Sequence, residues 1–198
     1  MVEQARFVEA QLLRTKVAVV LGDIVDQDVD AIVNAANERL MGGCGVDGAI
    51  HLAAGPKLSE ACREIGFCET GDAVVTPGFD LRARYIIHTV GPIYAAGEVN
   101  ELGKKHNEKA ALLLASCYRR SLELARGNRA RTIAFPAIST CEFEYPADRA
   151  ADVAMATVKN FLEENPDIFD EIRFVMFDEE YFSIGRQKLK EHFLKETK

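Results

Sequence analysis

Short runs rich in β-branched residues alternate along this chain with longer segments whose apolar residues recur at helical spacing. The alternation indicates strands and helices that follow one another, as in an α/β protein. Several of the short runs are apolar at consecutive positions, which is expected of strands covered on both faces. "EAQLL", near the N-terminus, predicts an additional edge strand. The other predicted strands occupy 16–23, 30–35, 71–78, 85–91, 131–137 and 171–177.

Five helices are predicted in the remaining segments, at 47–54, 56–65, 107–126, 146–164 and 179–194. In the fourth helix, Pro146 occupies the first turn, where proline is tolerated. The same helix has an apolar stripe that indicates a core-facing side, formed by Val153, Thr157, Val158, Phe161 and Leu162. The whole pattern predicts a three-layer α/β/α sandwich with a mixed, mostly parallel central sheet. In such folds ligands bind beyond the carboxyl ends of the strands.

The size and charge of the chain limit its organisation and its partners. With 198 residues, 48% of them apolar, the chain is expected to form a single domain over 1–198. A net charge of −7 argues against strong direct nucleic-acid binding, which requires a basic face. The first residues lack a basic segment followed by an apolar one, and no apolar run is long enough to span a bilayer. We therefore expect a cytoplasmic protein without a membrane partner.

The cysteines and histidines show no metal-binding pattern. None of the five cysteines forms a C-x-x-C pair, and the four histidines fall in no zinc-ligand spacing. Scattered cysteines in an odd number are typical of reduced intracellular thiols, most of which are buried as small apolar side chains. We predict no metal site.

Polar residues follow three of the predicted strands, where a ligand is expected. One strand leads into Gly22 and Asp23, a second into Asn34 and Asn37, and a third into 139–141. After the second strand, "MGGCGVDGAIH" places glycines before a helix start, where free amides and the helix dipole favour an anion.

Each of these features also has a purely structural interpretation. A glycine-rich turn can serve as a connector, and Asp47 can serve as a helix N-cap. Asn34 and Asn37 can cap the end of a strand. The joint occurrence of these features favours a phosphate-binding loop beside catalytic groups.

Five segments in this order resemble one known family. They are "GDIVDQDVDAIVNAANERLMGGCGVDGAIHLAAG", "CETGDAVVTPGFDL", "YIIHTVGP", "CYRRSLELA" and "IAFPAISTCEFEYP". Together they resemble a macro domain of the MacroD-like class, which removes ADP-ribose from modified carboxylate side chains and hydrolyses O-acetyl-ADP-ribose. The resemblance extends from about residue 12 to about residue 177, and several ordered motifs are far more specific than one glycine loop.

The resemblance implies a role for each matching residue. Asp23, in a segment with Ile24, would accept a hydrogen bond from the adenine amino group. Phe143 would stand beside the distal ribose. Backbone amides would hold the diphosphate, one phosphate at Gly43, Cys44, Gly45 and Val46 and the rest at Ser139, Thr140, Cys141, Glu142 and Phe143. The residues around the distal ribose would be Asn34, Asn37, Asp47 and His51.

The implied activity is hydrolysis of ADP-ribose esters, with Asn37, Asp47 and His51 as catalytic residues. Asn37 would orient the ribose hydroxyls, and Asp47 would position or deprotonate the attacking water. His51, one turn after Asp47, would lie on the same helix face. The expected partners are ADP-ribose, O-acetyl-ADP-ribose and ADP-ribosylated proteins, and no cofactor is expected. Two alternatives are a non-catalytic ADP-ribose-binding module and a regulator of RNA processing that acts through protein interaction.

One segment departs from the family pattern. The second phosphate loop of the family typically reads S-T-G-(Ile/Val)-(Phe/Tyr)-G-Y-P, whereas this chain has "STCEFEYP". Cys141 and Glu144 replace glycines, and Glu142 replaces an aliphatic residue. Backbone donors survive these changes, but an inward-facing glutamate would repel a diphosphate and weaken binding. Both glutamates could instead face solvent.

Overall fold

A computed structural model describes residues 7–96 and 101–194 of the chain. Its seven strands form one sheet in the order β1-β2-β7-β6-β3-β5-β4. The strands are β1 (Phe7–Leu12), β2 (Thr15–Leu21), β3 (Ala31–Ala35), β4 (Ala73–Pro77), β5 (Tyr85–Thr89), β6 (Thr132–Phe135) and β7 (Glu171–Met176). The five central strands are parallel, while β1 and β4 pair antiparallel at the two edges. The predicted mixed sheet, including its N-terminal edge strand, is confirmed.

Five helices cover the two faces of this sheet. They are α1 (Gly45–Ala54), α2 (Pro56–Ile65), α3 (Glu101–Gly127), α4 (Ala147–Glu164) and α5 (Glu179–Phe193). Alternation along β3 separates two cores: Val33 packs with α3, α4 and α5, whereas Ile32 packs with α1 and α2. The predicted three-layer sandwich is therefore confirmed. Among the described residues, no helix is both long and apolar enough to cross a membrane.

The helix boundaries differ from those predicted by at most two residues, except at the start of the third helix, where the difference is larger. The third helix begins at Glu101 instead of residue 107. The sequence did not predict its first turns, because they are mostly polar and contain Gly103, so no apolar period marks them. Pro146 is the N-cap of α4 and not a residue of its first turn. The stripe of α4 does face the core, where Val158, Phe161 and Leu162 are buried.

The parallel strands position the candidate site. β2, β3, β6 and β7 end at the same edge of the sheet, and the segment after each strand continues over that edge. A short 3-10 turn, Ile24–Asp26, follows β2 and was not predicted. The segment after β3 leads into α1, and the segment after β6 leads into α4. Four strand ends thus contribute to one surface depression.

Candidate functional site

A cleft of about 530 Å³ opens at the carboxyl ends of these strands. Its walls come from the segments after β2, β3, β6 and β7 and from the first turn of α1. The predicted site residues on its walls are Asp23, Ile24, Asn37, Gly43, Cys44, Gly45, Val46, Asp47, Ser139, Thr140, Cys141, Glu142 and Phe143. Thirteen of the fifteen residues predicted from the sequence therefore lie around one cavity, and Asn34 and His51 lie behind it.

The glycine-rich loop presents the N-terminus of α1 to the cleft. Cys44 is the N-cap of this helix and makes no side-chain capping bond, so the amides of the first turn face outward. Gly48 allows the loop to pass close over the helix, since a Cβ there would lie 2.5 Å from the carbonyl oxygen of Gly43. Asp47 is the third residue of the helix and not its N-cap, so the N-cap interpretation of this residue is wrong.

Asp47 is the buried acid of the cleft. Asn34 donates a hydrogen bond of 2.7 Å to its Oδ1, and Asn37 Nδ2 lies 3.5 Å from its Oδ2. Burial raises the pKa of Asp47, while the hydrogen bond from Asn34 and the nearby His51 oppose that rise. A raised pKa is what a carboxyl that exchanges protons near neutral pH requires.

Asn37 is held by the loop that it faces. Its amide donates to the carbonyl oxygen of Gly42 at 2.9 Å, and its oxygen lies 3.4 Å from the amide of Met41. These bonds leave its side chain beside Asp47 at the cleft wall, consistent with the role that the sequence predicts.

The structure places the two residues behind the cleft in supporting positions. Asn34 is completely buried and contacts Asp47, so it lies behind the cleft wall, and its predicted place around the distal ribose stays a prediction. His51 Nε2 is 3.4 Å from Asp47 Oδ1, on the predicted helix face. Within the described part of the chain, Nε2 has no hydrogen-bond partner, so this contact is electrostatic. Sequence spacing could not separate the residues that line the cleft from the residues that lie behind its wall.

The second loop, 139–145, is folded tightly against the rest of the cleft. The amide of Tyr145 donates to the carbonyl oxygen of Ser139, and Tyr181 donates to the carbonyl oxygen of Thr140. Ser139 Oγ is buried at the cleft and has no partner among the residues that the structure describes. It is therefore available to a ligand oxygen.

The two glutamates that depart from the family pattern lie differently. Glu142 lines the cleft and accepts a hydrogen bond of 2.6 Å from the thiol of Cys44. This bond joins the loop 139–145 to the glycine-rich loop before α1. This contact is the main cause that raises the pKa of Cys44. Glu144 is exposed, is not among the lining residues and has a φ of 52°, in the left-handed region that favours glycine. One of the two carboxylates therefore faces the cleft.

Phe177 is a cleft residue that the sequence analysis missed. It follows β7, lines the cleft and is 82% exposed, although large aromatic side chains are usually buried. Its position at the end of a predicted strand could have indicated a place in the cleft, because the other cleft-lining residues also follow strands. We assigned it to the strand itself.

A cluster of nitrogen and sulfur atoms also lies behind the cleft. The ligand-type atoms of His51, Cys62 and His88 lie within 4.8 Å of one another, although their sequence spacing suggested no metal site. Both ring nitrogens of His88 have protein partners, since Nδ1 lies 3.1 Å from Asn34 Nδ2 and Nε2 lies 3.0 Å from Thr76 Oγ1. The cluster is therefore part of a hydrogen-bonded core.

This arrangement defines an α/β protein with an amide-lined ligand cleft and a buried carboxylate at the ends of its parallel strands. The Macro domain family matches residues 33–154 of the chain. A "Macro domain-containing protein" of Methanosarcina mazei is 57% identical over 144 residues, which cover 73% of this chain and 72% of that protein. The chain belongs to the macro domain family.

Two further comparisons extend this assignment. "ADP-ribose glycohydrolase MACROD2" of Xenopus laevis is 52% identical over 181 residues, which cover 91% of this chain but only 41% of that protein. This chain thus corresponds to less than half the length of that relative. The solved structure of an Oceanobacillus iheyensis macrodomain with ADP superposes with a TM-score of 0.87, at 39% identity and coverage of 96% and 97% of the two chains.

Proposed function

We propose that this protein hydrolyses ADP-ribose esters, both O-acetyl-ADP-ribose and mono-ADP-ribose attached to acidic side chains. The observation that carries the proposal is the buried carboxylate of Asp47, which faces a cleft beside Asn37 and next to the free amides of α1. Relatives named ADP-ribose glycohydrolase support the reaction class, and macrodomain structures with ADP and with ADPR support the ligand.

The walls of the cleft offer one set of partners after another for the adenine, the diphosphate and the distal ribose of ADP-ribose. Asp23 lies at the end of β2, where one carboxylate oxygen accepts from the amide of Val25, and the carboxylate supplies an acceptor for the adenine amino group. Phe177 offers its exposed ring as a stacking surface for the base. The amides of the two loops then bind the diphosphate.

The distal ribose lies next to Asp47 in this arrangement. Asn37 orients the ribose hydroxyls, and Asp47 positions or deprotonates the water that attacks the ester. Water adds to the ester carbonyl, the acyl–oxygen bond breaks and the acid leaves, and the ribose hydroxyl takes the proton that the water lost.

Two measurements on the purified protein test the proposal. We expect calorimetry to detect binding of ADP-ribose and an ester assay to detect turnover of O-acetyl-ADP-ribose. Binding without turnover would instead identify a non-catalytic ADP-ribose-binding module. Absence of binding would contradict both functions and favour a role in protein interaction.

A further inference from the structure

A chain of buried polar side chains runs from the cleft into the sheet, and the proposed function uses only its first member, Asp47. Asn34 of β3 and His88 of β5 are register partners, and Thr76 lies on the neighbouring β4, two residues beyond Val74, which pairs with His88. The three strand residues therefore point to the sheet face that α1 and α2 cover. All four polar side chains are buried.

The directions of the hydrogen bonds in this chain follow from its atoms. Asn34 Nδ2 donates to Asp47 Oδ1 at 2.7 Å and lies 3.1 Å from His88 Nδ1. An amide nitrogen only donates, so Nδ1 of His88 must accept the second hydrogen. The imidazole proton is then on Nε2, 3.0 Å from Thr76 Oγ1. The buried histidine remains neutral, because burial, with a smaller effect of His51, lowers its pKa to about 3.

The free oxygen of Asn34 shows that this orientation serves Asp47. Asn34 Oδ1 is buried without a hydrogen-bond partner in the described ranges 7–96 and 101–194, an arrangement that costs free energy. Turning the amide over would place this oxygen against Asp47 Oδ1, where two acceptors repel each other unless the carboxyl is protonated. While its proton is on Nε2, His88 can accept at Nδ1 only from the amide nitrogen, so this bond favours the Asn34 orientation that donates to an ionised Asp47.

We propose that His88 is a positioning residue for ester hydrolysis, which acts through Asn34 to hold Asp47 ionised and in place. The inference rests on the proposed function for its catalytic readout. His88 is neutral and separated from the cleft by Asn34, so it acts through a hydrogen bond and not through charge or ligand contact.

Other titratable groups face Asp47 and must stay constant in a test. His51 faces it from α1 and Cys44 from the loop before α1, while Cys62 of α2 lies near both Asp47 and His88. Burial raises the pKa of Cys62 to about 11, so this thiol is uncharged at neutral pH. Variants of Asn34, Thr76 and His88 keep all three of these side chains, although His88→Leu removes the contact of 3.9 Å between His88 Nε2 and Cys62 Sγ.

The experiment is a double-mutant cycle read from the pH dependence of O-acetyl-ADP-ribose hydrolysis. His88→Leu removes the acceptor for Asn34. The acidic limb of the pH profile of kcat/KM should therefore shift to higher pH by about one pH unit. At pH values below the limb, kcat/KM of His88→Leu should be about tenfold lower than that of the wild type, and at high pH the two should be equal. In an Asn34→Leu background, His88→Leu should cause no further shift, because its partner is gone.

Thr76→Val is the matched control, since it also replaces a buried polar group but leaves the Asn34 bonds intact. It should keep the wild-type limb, while melting curves and the Kd for ADP-ribose verify folding in every variant. Equal shifts in Thr76→Val and His88→Leu, or additive shifts in the Asn34→Leu background, would overturn the proposal.

A direct titration separates this inference from the proposed function. If the wild type does not turn over O-acetyl-ADP-ribose, the proposed function fails, but carbon-13 NMR still reports the Asp47 carboxyl pKa without substrate. His88→Leu should raise that pKa by about one unit, and Thr76→Val should not. An unchanged Asp47 pKa in His88→Leu refutes the positioning role.

Discussion

Asp47 combines burial with a place on the cleft wall, so the proposed catalytic role and a structural role can be tested separately. Asp47→Ala should lower ester hydrolysis by about two orders of magnitude or more and change ADP-ribose affinity much less. Single-turnover rates and calorimetry measure the two effects. Because Cys44 is the N-cap of α1, the helix loses no cap in this variant. A variant that retains full activity but melts earlier would contradict the catalytic role.

Asp23 has two carboxylate oxygens with different tasks. Oδ1 caps the short 3-10 turn through the amide of Val25, and in the proposed arrangement Oδ2 accepts from the adenine amino group. Asp23→Asn keeps an oxygen for the cap but presents an N–H to the base. It should bind ADP-ribose more weakly and inosine diphosphate ribose, which offers a carbonyl, more tightly than the wild type does.

Calorimetry with both nucleotides in both proteins tests this reversal. Asp23→Ala serves as the control, because it removes the acceptor without adding a donor and should weaken ADP-ribose binding alone. Equal affinity of the wild type for the two nucleotides would remove Asp23 from the base site.

The loop from Ser139 to Tyr145 is the element in which this chain departs most from the family pattern. Glu142 reaches the cleft, so Glu142→Gln should tighten ADP-ribose binding about fivefold, the effect expected from removing one repulsive charge in a solvated site. Salt screens this repulsion, and the advantage of the variant should therefore shrink as ionic strength rises. Binding titrations at two salt concentrations measure both effects.

Glu144→Gly is the matched change in the same loop. Glu144 is exposed and has a φ of 52°, so glycine there should raise the free energy of unfolding by up to about 1 kcal/mol and leave affinity unchanged. If Glu142→Gln binds like the wild type at both salt concentrations, the contact with Cys44 already neutralises the effect of this carboxylate and the electrostatic explanation is wrong.

The elements themselves were largely predictable, because each strand after β1 was marked by its own run rich in β-branched residues. The first turns of α3 were not predictable, because the residues from Glu101 to His106 lack an apolar period. They belong to the helix only as a continuation of its packed part. Within the site, Asn37 and Asp47 were found through motifs, but the contact between Cys44 and Glu142 joins loops 98 residues apart. Such a contact depends on how the strand ends come together, which no local pattern contains.

Across the whole molecule, the layer order explains which of the predicted site residues line the cleft. The cleft lies over the ends of parallel strands, while the buried polar chain lies between the sheet and the helices α1 and α2. Asn34 and His51 belong to that inner layer, so a motif that includes them marks the site correctly without showing which side chains reach its surface. Thr76 and His88 lie in segments that resemble the family, but the sequence assigned them no role, because their partners lie on other elements.

The buried His88 should also make global stability depend on pH. Its pKa is about 3 in the folded protein and about 6.5 when unfolded, so between these values the unfolded state binds the extra proton. Stability should therefore fall on acidification, by about 2 kcal/mol between pH 7 and pH 5 from this residue. Asp47 has a raised pKa and acts in the opposite direction, so the comparison is best made in an Asp47→Asn background.

Urea unfolding at pH 7 and pH 5 measures this contribution. His88→Leu should flatten the pH dependence by about 2 kcal/mol, because leucine takes up no proton in either state. Thr76→Val, which replaces a buried side chain without a titratable group, should leave the dependence as it was. If His88→Leu and its parent lose stability equally on acidification, then His88 is protonated in the folded protein. Its Nδ1 would then donate instead of accept, and the orientation of Asn34 would need another cause.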